Sequence, residues 1–293
     1  MIKGSIPALV TPMRDDGSID FSAWDALLDF HLREGTDGVV VGGTTGESPV
    51  LEQAELEELI RRAKARLGDR LPVIAGSGTN ATARSIALSR AAEAAGADAL
   101  LVVTPYYNKP TQQGLVRHFA AIADEVSIPV ILYNVPGRTG CDMLAETVAR
   151  LSHHPRIAAV KEATGDIARG EAVLRQSRPG FVLLSGDDPT AAELIRVGAQ
   201  GVISVTANVA ARAMHELCAA ALDGRHEEAR AINARLVPLH KALFVESNPI
   251  PVKWAVQRMG LIGPGIRLPL TPLPAPLHAA VEAAMRAAGL ALP

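Results

Sequence analysis

The stretch Ile157-Ala-Ala-Val-Lys161-Glu-Ala-Thr-Gly165 places a lysine at the end of a run of small and β-branched apolar residues. A run of this kind, without polar alternation, is typical of a parallel strand that is covered on both faces. An ammonium group at the mouth of such a strand is costly unless it is paired or loses its proton. Lysine, unlike arginine, can act as a neutral amine that attacks a carbonyl to form a Schiff base. The segment alone fits equally well a strand-end lysine whose head reaches solvent.

Seven further apolar runs of this type occur along the chain, and amphipathic stretches separate them. The order of strand and helix units predicts a (β/α)8 barrel, with a doubly wound open sheet as the competing topology. Strands are predicted near 5–10, 38–41, 72–75, 99–103, 129–133, 157–161, 181–185 and 201–204. Helices are predicted at 21–33, 51–67, 81–95, 113–126, 144–151, 167–176, 190–197 and 210–222.

The last part of the chain is predicted to be helical. We expect residues 1–224 to form the catalytic barrel and residues 225–293 to form a C-terminal helical subdomain packed on it. The helices of this subdomain are predicted at 225–246, 250–259 and 276–289. Helix starts are predicted at Asn80, Asp188-Pro189 and Asn248-Pro249, and helix ends at Gly35, Gly68, Gly96 and Gly198.

Composition excludes several classes of function. The chain has 293 residues, 48% of them hydrophobic, and a formal charge of −2. No basic run suggests nucleic-acid binding, and no apolar segment approaches the roughly 18 residues of a membrane helix. Two cysteines do not make a disulfide framework, and the N-terminal segment lacks a signal-peptide layout. We therefore expect a cytoplasmic protein that partners neither nucleic acid nor membrane.

Unusual residues cluster where the predicted strands end. In a barrel of this type the chemistry lies at the carboxyl ends of the strands, so these segments would share one rim. All three tyrosines of the chain, Tyr106, Tyr107 and Tyr133, fall there. The segments are Val41-Gly-Gly-Thr-Thr-Gly-Glu-Ser48, Thr104-Pro-Tyr-Tyr-Asn108, Tyr133-Asn-Val-Pro-Gly-Arg-Thr-Gly140, Lys161 and Ser185-Gly-Asp-Asp188.

The rim segments carry groups with separate chemical uses. The glycines around Thr44 and Thr45 let backbone amides approach a small carboxylate, although a tight turn capped by a hydroxyl is an equally ordinary interpretation. The phenol of Tyr133 suits proton transfer beside a carbinolamine, or simply fills space. Arg138 suits a bidentate carboxylate clamp, or is a solvated loop charge.

Other motifs do not support a cofactor or metal. The segment Gly76-Ser-Gly-Thr-Asn-Ala81 mimics a dinucleotide fingerprint, but the next strand ends in Thr104-Pro105 instead of the required acid. His215-Glu216 lacks the second histidine of a zinc site, since Ala219 stands there. We therefore expect no metal and no bound cofactor.

Taken together, the motifs resemble the pyruvate-dependent class I aldolase and lyase family, and within it the dihydrodipicolinate synthase branch. The resemblance runs essentially from end to end. The motifs that carry it are Gly43-Thr-Thr-Gly-Glu47, Tyr133-Asn-Val-Pro-Gly-Arg-Thr-Gly140, Val160-Lys-Glu-Ala-Thr-Gly165, Gly4-Ser-Ile6, Val10-Thr-Pro-Met13, Val103-Thr-Pro-Tyr-Tyr-Asn108, Ile203-Ser-Val-Thr-Ala-Asn208 and Asn248-Pro-Ile-Pro-Val-Lys-Trp254.

The resemblance implies condensation of pyruvate with aspartate-4-semialdehyde on the route to diaminopimelate and lysine. Lys161 would form the pyruvyl Schiff base, so the electron sink belongs to the protein itself. Tyr133 would move protons through Thr44 to Tyr107 of a neighbouring subunit in a homotetramer built as a dimer of dimers. Pyruvate would be held by Thr45, Gly186 and Ile203, and the carboxylate of the semialdehyde by Arg138.

Two rival interpretations remain. A sister lyase, such as an N-acetylneuraminate lyase or a keto-deoxy-sugar-acid aldolase, would share the lysine and tyrosine, but the resemblance implies that such enzymes lack Arg138 together with the Tyr106-Tyr107 pair. A non-catalytic binding barrel is expected to have lost Lys161 or Tyr133, and this chain has both.

The chain departs from its lysine-inhibited relatives at the inhibitor site that the resemblance implies. Those relatives use two histidines and a glutamate, and this chain has Gln53, Leu56 and Arg84 at the matching positions. Asn80 and Tyr106 are retained. Because an arginine would meet the α-amino group of lysine with like charge, we expect little or no feedback inhibition.

Overall fold

The fold is a barrel of eight parallel strands surrounded by helices, seen in a computed structural model that describes residues 2–292. The sheet order is β1-β8-β7-β6-β5-β4-β3-β2, and β1 reaches β2 through a bridge between Ala8 and Val40. The predicted barrel is confirmed, and the open-sheet alternative is wrong. The strands are β1 (Gly4–Pro7), β2 (Val39–Val41), β3 (Val73–Gly76), β4 (Ala99–Val103), β5 (Val130–Asn134), β6 (Ile157–Glu162), β7 (Val182–Ser185) and β8 (Gly201–Ser204).

The helices follow the strands in the predicted order. The structure adds the short helix α5 and two 3-10 helices, Ser48–Val50 and Thr206–Asn208, that the sequence pattern did not predict. The helices are α1 (Phe21–Arg33), α2 (Gln53–Leu67), α3 (Thr82–Ala94), α4 (Gln112–Ala123), α5 (Pro136–Thr139), α6 (Ala145–Ser152), α7 (Ile167–Gln176), α8 (Ala191–Arg196), α9 (Ala211–Leu222), α10 (His226–Ala242), α11 (Ile250–Arg258) and α12 (Ala275–Ala287).

Alternation along the strands divides the apolar side chains into two cores. In β6, Val160 packs outward against the helices, whereas Ala159 points into the barrel. Successive side chains of a strand point to opposite faces, so Lys161, which follows Val160, points into the barrel. Because it lies near the end of β6, its side chain enters the barrel from the carboxyl end. The inner core contains Ile6, Ala8, Val40, Ile74, Ala99, Leu101, Ile131, Tyr133, Ala159, Leu184 and Ile203.

The C-terminal helices share the outer core of the barrel. Leu236 and Leu239 of α10, Val252 of α11 and Met285 of α12 are fully buried in the same apolar cluster as the barrel helices. The division at residue 224 stays a prediction, because a continuous core does not mark a boundary.

The three predicted helix starts are wrong as caps. Helix α8 begins after Thr190, and the carboxylate of Asp188 accepts from the N–H groups of Val205 and Thr206 instead of capping the helix. Helix α3 begins after Ala81, whose N–H donates to the hydroxyl of Thr79, and Asn80 does not cap it. Helix α11 begins after Pro249 without a side-chain cap, and the side chain of Asn248 points to Thr45 instead. The predicted ends at the four glycines are confirmed by positive φ angles at each of them.

Between residues 2 and 292, no helix is both long enough and apolar enough to cross a membrane.

Candidate active site

Lys161 and Tyr133 lie side by side at the carboxyl end of the barrel. They are register partners on β6 and β5, and both point inward. The Nζ atom of Lys161 lies 4.2 Å from the centroid of the Tyr133 ring, and the lysine is 6% exposed. Lys161 forms no hydrogen bond or ion pair with any residue from 2 to 292. The amine of Lys161 therefore lies beside the phenol of Tyr133 and is not paired with a carboxylate.

Gly186, directly after β7, leaves room for the Lys161 side chain. A Cβ atom at this position would lie 2.6 Å from the Cβ of Ala163 and 3.0 Å from the Cε of Lys161. Any larger residue would therefore clash with Ala163 and crowd the Lys161 side chain. Ile203 of β8 lies in the inner core and is 1% exposed, so the rim of the barrel is apolar on this side.

The loop after β2 is a tight turn that carries Thr44 and Thr45. The N–H of Gly46 donates to the carbonyl of Gly43 at 3.0 Å, and that of Glu47 donates to the carbonyl of Thr44 at 3.1 Å. The N–H groups of Thr44 and Thr45 have no acceptor in the part of the chain that the structure describes. Successive unpaired amides beside hydroxyls suit a small carboxylate, as the glycine pattern predicts.

Asn248 connects the two predicted anion-binding residues. Its Nδ2 donates to the hydroxyl of Thr45 at 3.0 Å, and its carbonyl accepts from Nη2 of Arg138 at 3.2 Å. Arg138 lies in α5 with its side chain exposed, so the guanidinium keeps donors for another partner. Sequence reasoning treated Asn248 as a helix start and missed this role. No local signal reveals it, because Asn248 and Thr45 are 203 positions apart.

Tyr107 does not join the other residues within one chain. Its side chain is 89% exposed, and its backbone has a φ of 74°, a left-handed conformation that is unfavourable for a bulky residue. No hydrogen bond among residues 2–292 connects the hydroxyls of Tyr133, Thr44 and Tyr107. The predicted relay is therefore not formed by a single chain.

A buried polar network supports the strand ends next to Lys161. The Nδ2 of Asn134 donates to Glu162 at 3.0 Å and to Asp142 at 2.9 Å. Burial raises the pKa of Glu162, whereas the hydrogen bond from Arg169 lowers the pKa of Asp142. Sequence reasoning missed this network, which fixes β5 and β6, and therefore Tyr133 and Lys161, against each other.

Among the described residues, no group of three or more histidine, cysteine, aspartate or glutamate side chains has a geometry that would hold a metal ion. The rejected motif at His215 has a structural use, since its Nδ1 lies 2.9 Å from Asp37.

Comparison with known proteins assigns the family. The family model for the dihydrodipicolinate synthetase family matches residues 1–288. A 4-hydroxy-tetrahydrodipicolinate synthase from Stutzerimonas stutzeri is 58% identical over 290 residues, which cover 99% of both chains. The chain belongs to the dihydrodipicolinate synthetase family.

Solved structures agree with this assignment. The chloride-inhibited dihydrodipicolinate synthase from Acinetobacter baumannii, complexed with pyruvate, is 48% identical with a TM-score of 0.98, covering 99% of this chain and 100% of that one. The enzyme from Cyanidioschyzon merolae with lysine bound is 40% identical with a TM-score of 0.95, covering 99% of each chain.

Proposed function

We propose that the chain catalyses the condensation of pyruvate with aspartate-4-semialdehyde, the reaction of a 4-hydroxy-tetrahydrodipicolinate synthase. The observation that carries the proposal is an inward-facing lysine without an ion-pair partner, 4.2 Å from a tyrosine ring, in a chain of this family. The relatives named for this reaction match the chain over nearly its full length. The enzyme is a lyase of the class I aldolase type.

Lys161 acts as the nucleophile. Its neutral amine attacks the keto carbon of pyruvate, and loss of water from the carbinolamine gives an iminium. The iminium draws electrons from the methyl carbon, which loses a proton to form an enamine. The enamine carbon then attacks the aldehyde carbon of the second substrate, which regenerates an iminium. Attack on this iminium by the amino group of the second substrate or by water breaks the bond to Lys161 and frees the amine. The lysine supplies the electron sink, so this chemistry requires no bound cofactor.

Tyr133 acts as the proton carrier for these steps. Its phenol lies next to the amine, so it can give a proton to the departing hydroxyl and take one back. Thr44 and Tyr107 of the partner subunit extend the path toward solvent. The exposure of Tyr107 and its left-handed backbone support this role, because a bulky residue held in such a conformation needs a compensating contact.

Two anion sites hold the substrates. The unpaired amides and hydroxyls of Thr44 and Thr45, with Gly186 and Ile203 across the rim, receive pyruvate. Arg138 receives the carboxylate of the semialdehyde, because its guanidinium has free donors while its position is held by Asn248.

The assembly is a homotetramer built as a dimer of dimers, and the cell compartment is the cytoplasm. The exposed Tyr106 and Tyr107 support an interface at this rim, since large aromatic side chains are favoured at protein contacts. No nucleic acid and no membrane takes part in this function.

Turnover with a panel of aldehydes tests the proposal. Purified enzyme is given pyruvate with aspartate-4-semialdehyde, with N-acetylmannosamine, or with a sugar-derived aldehyde lacking a carboxylate. We expect turnover with aspartate-4-semialdehyde to exceed that with the other aldehydes by at least about a hundredfold, because Arg138 recognises the carboxylate. Faster turnover of N-acetylmannosamine would favour the sister lyase.

A further inference from the structure

Glu47 is an unusual residue in the loop that carries Thr44 and Thr45. Its side chain is fully buried, and its backbone has a φ of 60°, in the left-handed region. A charged residue in this conformation is costly twice, through desolvation and through backbone strain. The substrate contacts proposed for the neighbouring threonines do not themselves require a buried carboxylate in this loop.

The carboxylate is held by the C-terminal subdomain at both oxygens. Lys253 of α11 forms an ion pair and hydrogen bond with Oε1, and its own side chain is only 4% exposed. The backbone N–H of Arg267 donates to Oε2 at 3.1 Å. The ion-pair partners are 206 positions apart in the chain, so the pair joins the rim of the barrel to the subdomain packed on it.

Arg267 fixes the same loop from outside. Its guanidinium donates to both carboxylate oxygens of Glu55, at 2.7 and 2.5 Å, and to the carbonyl of Val50 at 2.7 Å. Val50 and Glu55 follow the loop directly, at the end of its turn and in the first turn of α2. Glu47 and the segment that follows it are therefore both held by residues from the far end of the chain.

A buried ion pair is a weak source of stability, because desolvation of both charges offsets their attraction. What such a pair supplies here is one defined geometry, because the Glu47 carboxylate is fixed at one oxygen by Lys253 and at the other by the N–H of Arg267. Glu47 lies two positions after Thr45, and its own N–H closes the turn on the carbonyl of Thr44. Movement of Glu47 therefore moves the two hydroxyls and the two unpaired amides.

We propose that Glu47 and Lys253 are positioning residues, a buried clamp by which the C-terminal subdomain holds the Thr44-Thr45 loop in its pyruvate-binding form. This inference rests on the proposed function, because it assumes that the loop binds the carboxylate of pyruvate. Neither residue touches substrate. Their main effect falls on pyruvate affinity, and a smaller effect on kcat follows from the position of the Thr44 hydroxyl in the proposed relay.

The test compares four proteins with the wild type: Lys253→Met, Glu47→Gln, the double variant Glu47→Gln with Lys253→Met, and the control Glu282→Gln. Glu282 also accepts from arginines within the C-terminal subdomain, Arg258 at 3.1 Å and Arg286 at 2.7 Å, but it is remote from the loop. Two readouts are used. The first is the pyruvate concentration that gives half-maximal borohydride-trapped adduct by mass spectrometry, and the second is the pair of kcat and KM for pyruvate.

Lys253→Met is expected to raise two quantities by about tenfold or more: the pyruvate concentration that gives half-maximal trapped adduct, and KM for pyruvate. The reason is that displacement of binding groups by about 1 Å weakens the binding of pyruvate. The kcat at saturating pyruvate changes much less. The double variant removes both buried charges, so it regains the stability to urea that the single variant loses, yet it keeps the raised KM. Glu282→Gln behaves as the wild type in both readouts.

A double variant with wild-type stability and wild-type half-trapping would overturn the clamp. So would a loss confined to kcat with KM unchanged, because that result describes a smaller folded fraction. Failure of the proposed function gives a different result. The wild type itself would then form no pyruvate adduct, or it would form the adduct and turn over another aldehyde faster than aspartate-4-semialdehyde.

Discussion

The two ends of the barrel differ in how their polar groups are used. At the amino end, a cavity of about 500 Å³ lies under the strand starts, lined by apolar residues and by the charged residues Lys64, Asp69, Asp98 and Arg178. Lys64 donates to Asp98 at 2.6 Å, and this hydrogen bond to the carboxylate raises the pKa of the lysine. At the carboxyl end, Lys161 has no such partner among residues 2–292.

Backbone strain separates the two ends as well. Among residues 2–292, the non-glycine residues with positive φ are Glu47, Tyr107 and Lys109, and all three lie in carboxyl-end loops. Backbone strain and an unpaired lysine, Lys161, therefore occur at the carboxyl end, whereas Lys64 at the amino end is paired with Asp98. Cavity size alone is therefore a poor guide to the position of the active site in this fold.

The largest expected effect separates the two lysines. Lys161→Arg should lower kcat/KM by at least about 10³-fold, because a guanidinium stays protonated and cannot form the Schiff base. Lys64→Met should leave kcat/KM within about twofold and cost about 1 kcal/mol or less of stability, since its ion pair is partly exposed. Steady-state kinetics and urea unfolding of both variants measure these quantities. A comparable loss of activity in both variants would contradict the claim that only the carboxyl end of the barrel carries the reactive lysine.

The next effect concerns Tyr107. Tyr107→Phe should lower kcat by about a hundredfold, as expected for loss of a proton-transfer group. When Tyr107→Phe and Lys161→Ala proteins are unfolded and reassembled together, part of the activity should return, because some mixed sites then contain both native residues. Heterotetramers without any regained activity would show that the relay does not cross a subunit boundary.

Weak inhibition by lysine is a third expectation. Arg84 is exposed on α3. Glu93 is the acid that would have to replace the missing glutamate, and its carboxylate already accepts from the N–H of Ser127 at 3.0 Å and from the Ser127 hydroxyl. A penalty of about 3 kcal/mol corresponds to roughly hundredfold weaker binding. Initial rates at sub-saturating pyruvate should change little with lysine, and half-inhibition below about 1 mM would contradict this. Arg84→Glu is the matched variant and should increase the inhibition.

The smallest effect is on stability against acid. Burial lowers the pKa of His118 to about 4 and that of His31 to about 3, from 6.5. Below pH 6.5 the unfolded chain therefore binds protons that the folded chain does not bind. The free energy of unfolding is unaffected by these histidines above pH 6.5 and falls as the pH decreases toward their folded pKa values. Each histidine should cost about 2 kcal/mol at pH 5. His118→Gln should therefore lose about 2 kcal/mol less between pH 7 and pH 5 than the wild type in urea unfolding. An unchanged difference would contradict the assignment.

The sequence predicted the barrel because its strands are buried on both faces and read as continuous apolar runs. It also predicted that Lys161 and Tyr133 share one rim, which follows from the topology of the fold alone. The first strand is shorter than predicted, at 4–7 instead of 5–10, because Ala8 and Leu9 already turn toward β2.

Contacts between distant parts of the chain escaped prediction. The bonds from Asn248 to Thr45 and from Lys253 to Glu47 span more than two hundred positions, and no local pattern encodes them. The relay through Tyr107 cannot be seen in a single chain for a different reason, because its proposed members lie on two chains. Sequence periodicity describes elements and faces, but not which side chains meet across the mouth of a barrel.

Borohydride reduction in the presence of pyruvate, followed by peptide mass mapping, tests the central claim most directly. Reduction of the iminium should add the mass of one reduced pyruvyl group to the peptide that contains Lys161, and no adduct should form in Lys161→Arg protein. An adduct on Lys64, Lys109 or Lys253 instead, or an unmodified Lys161 peptide in active enzyme, would contradict the account.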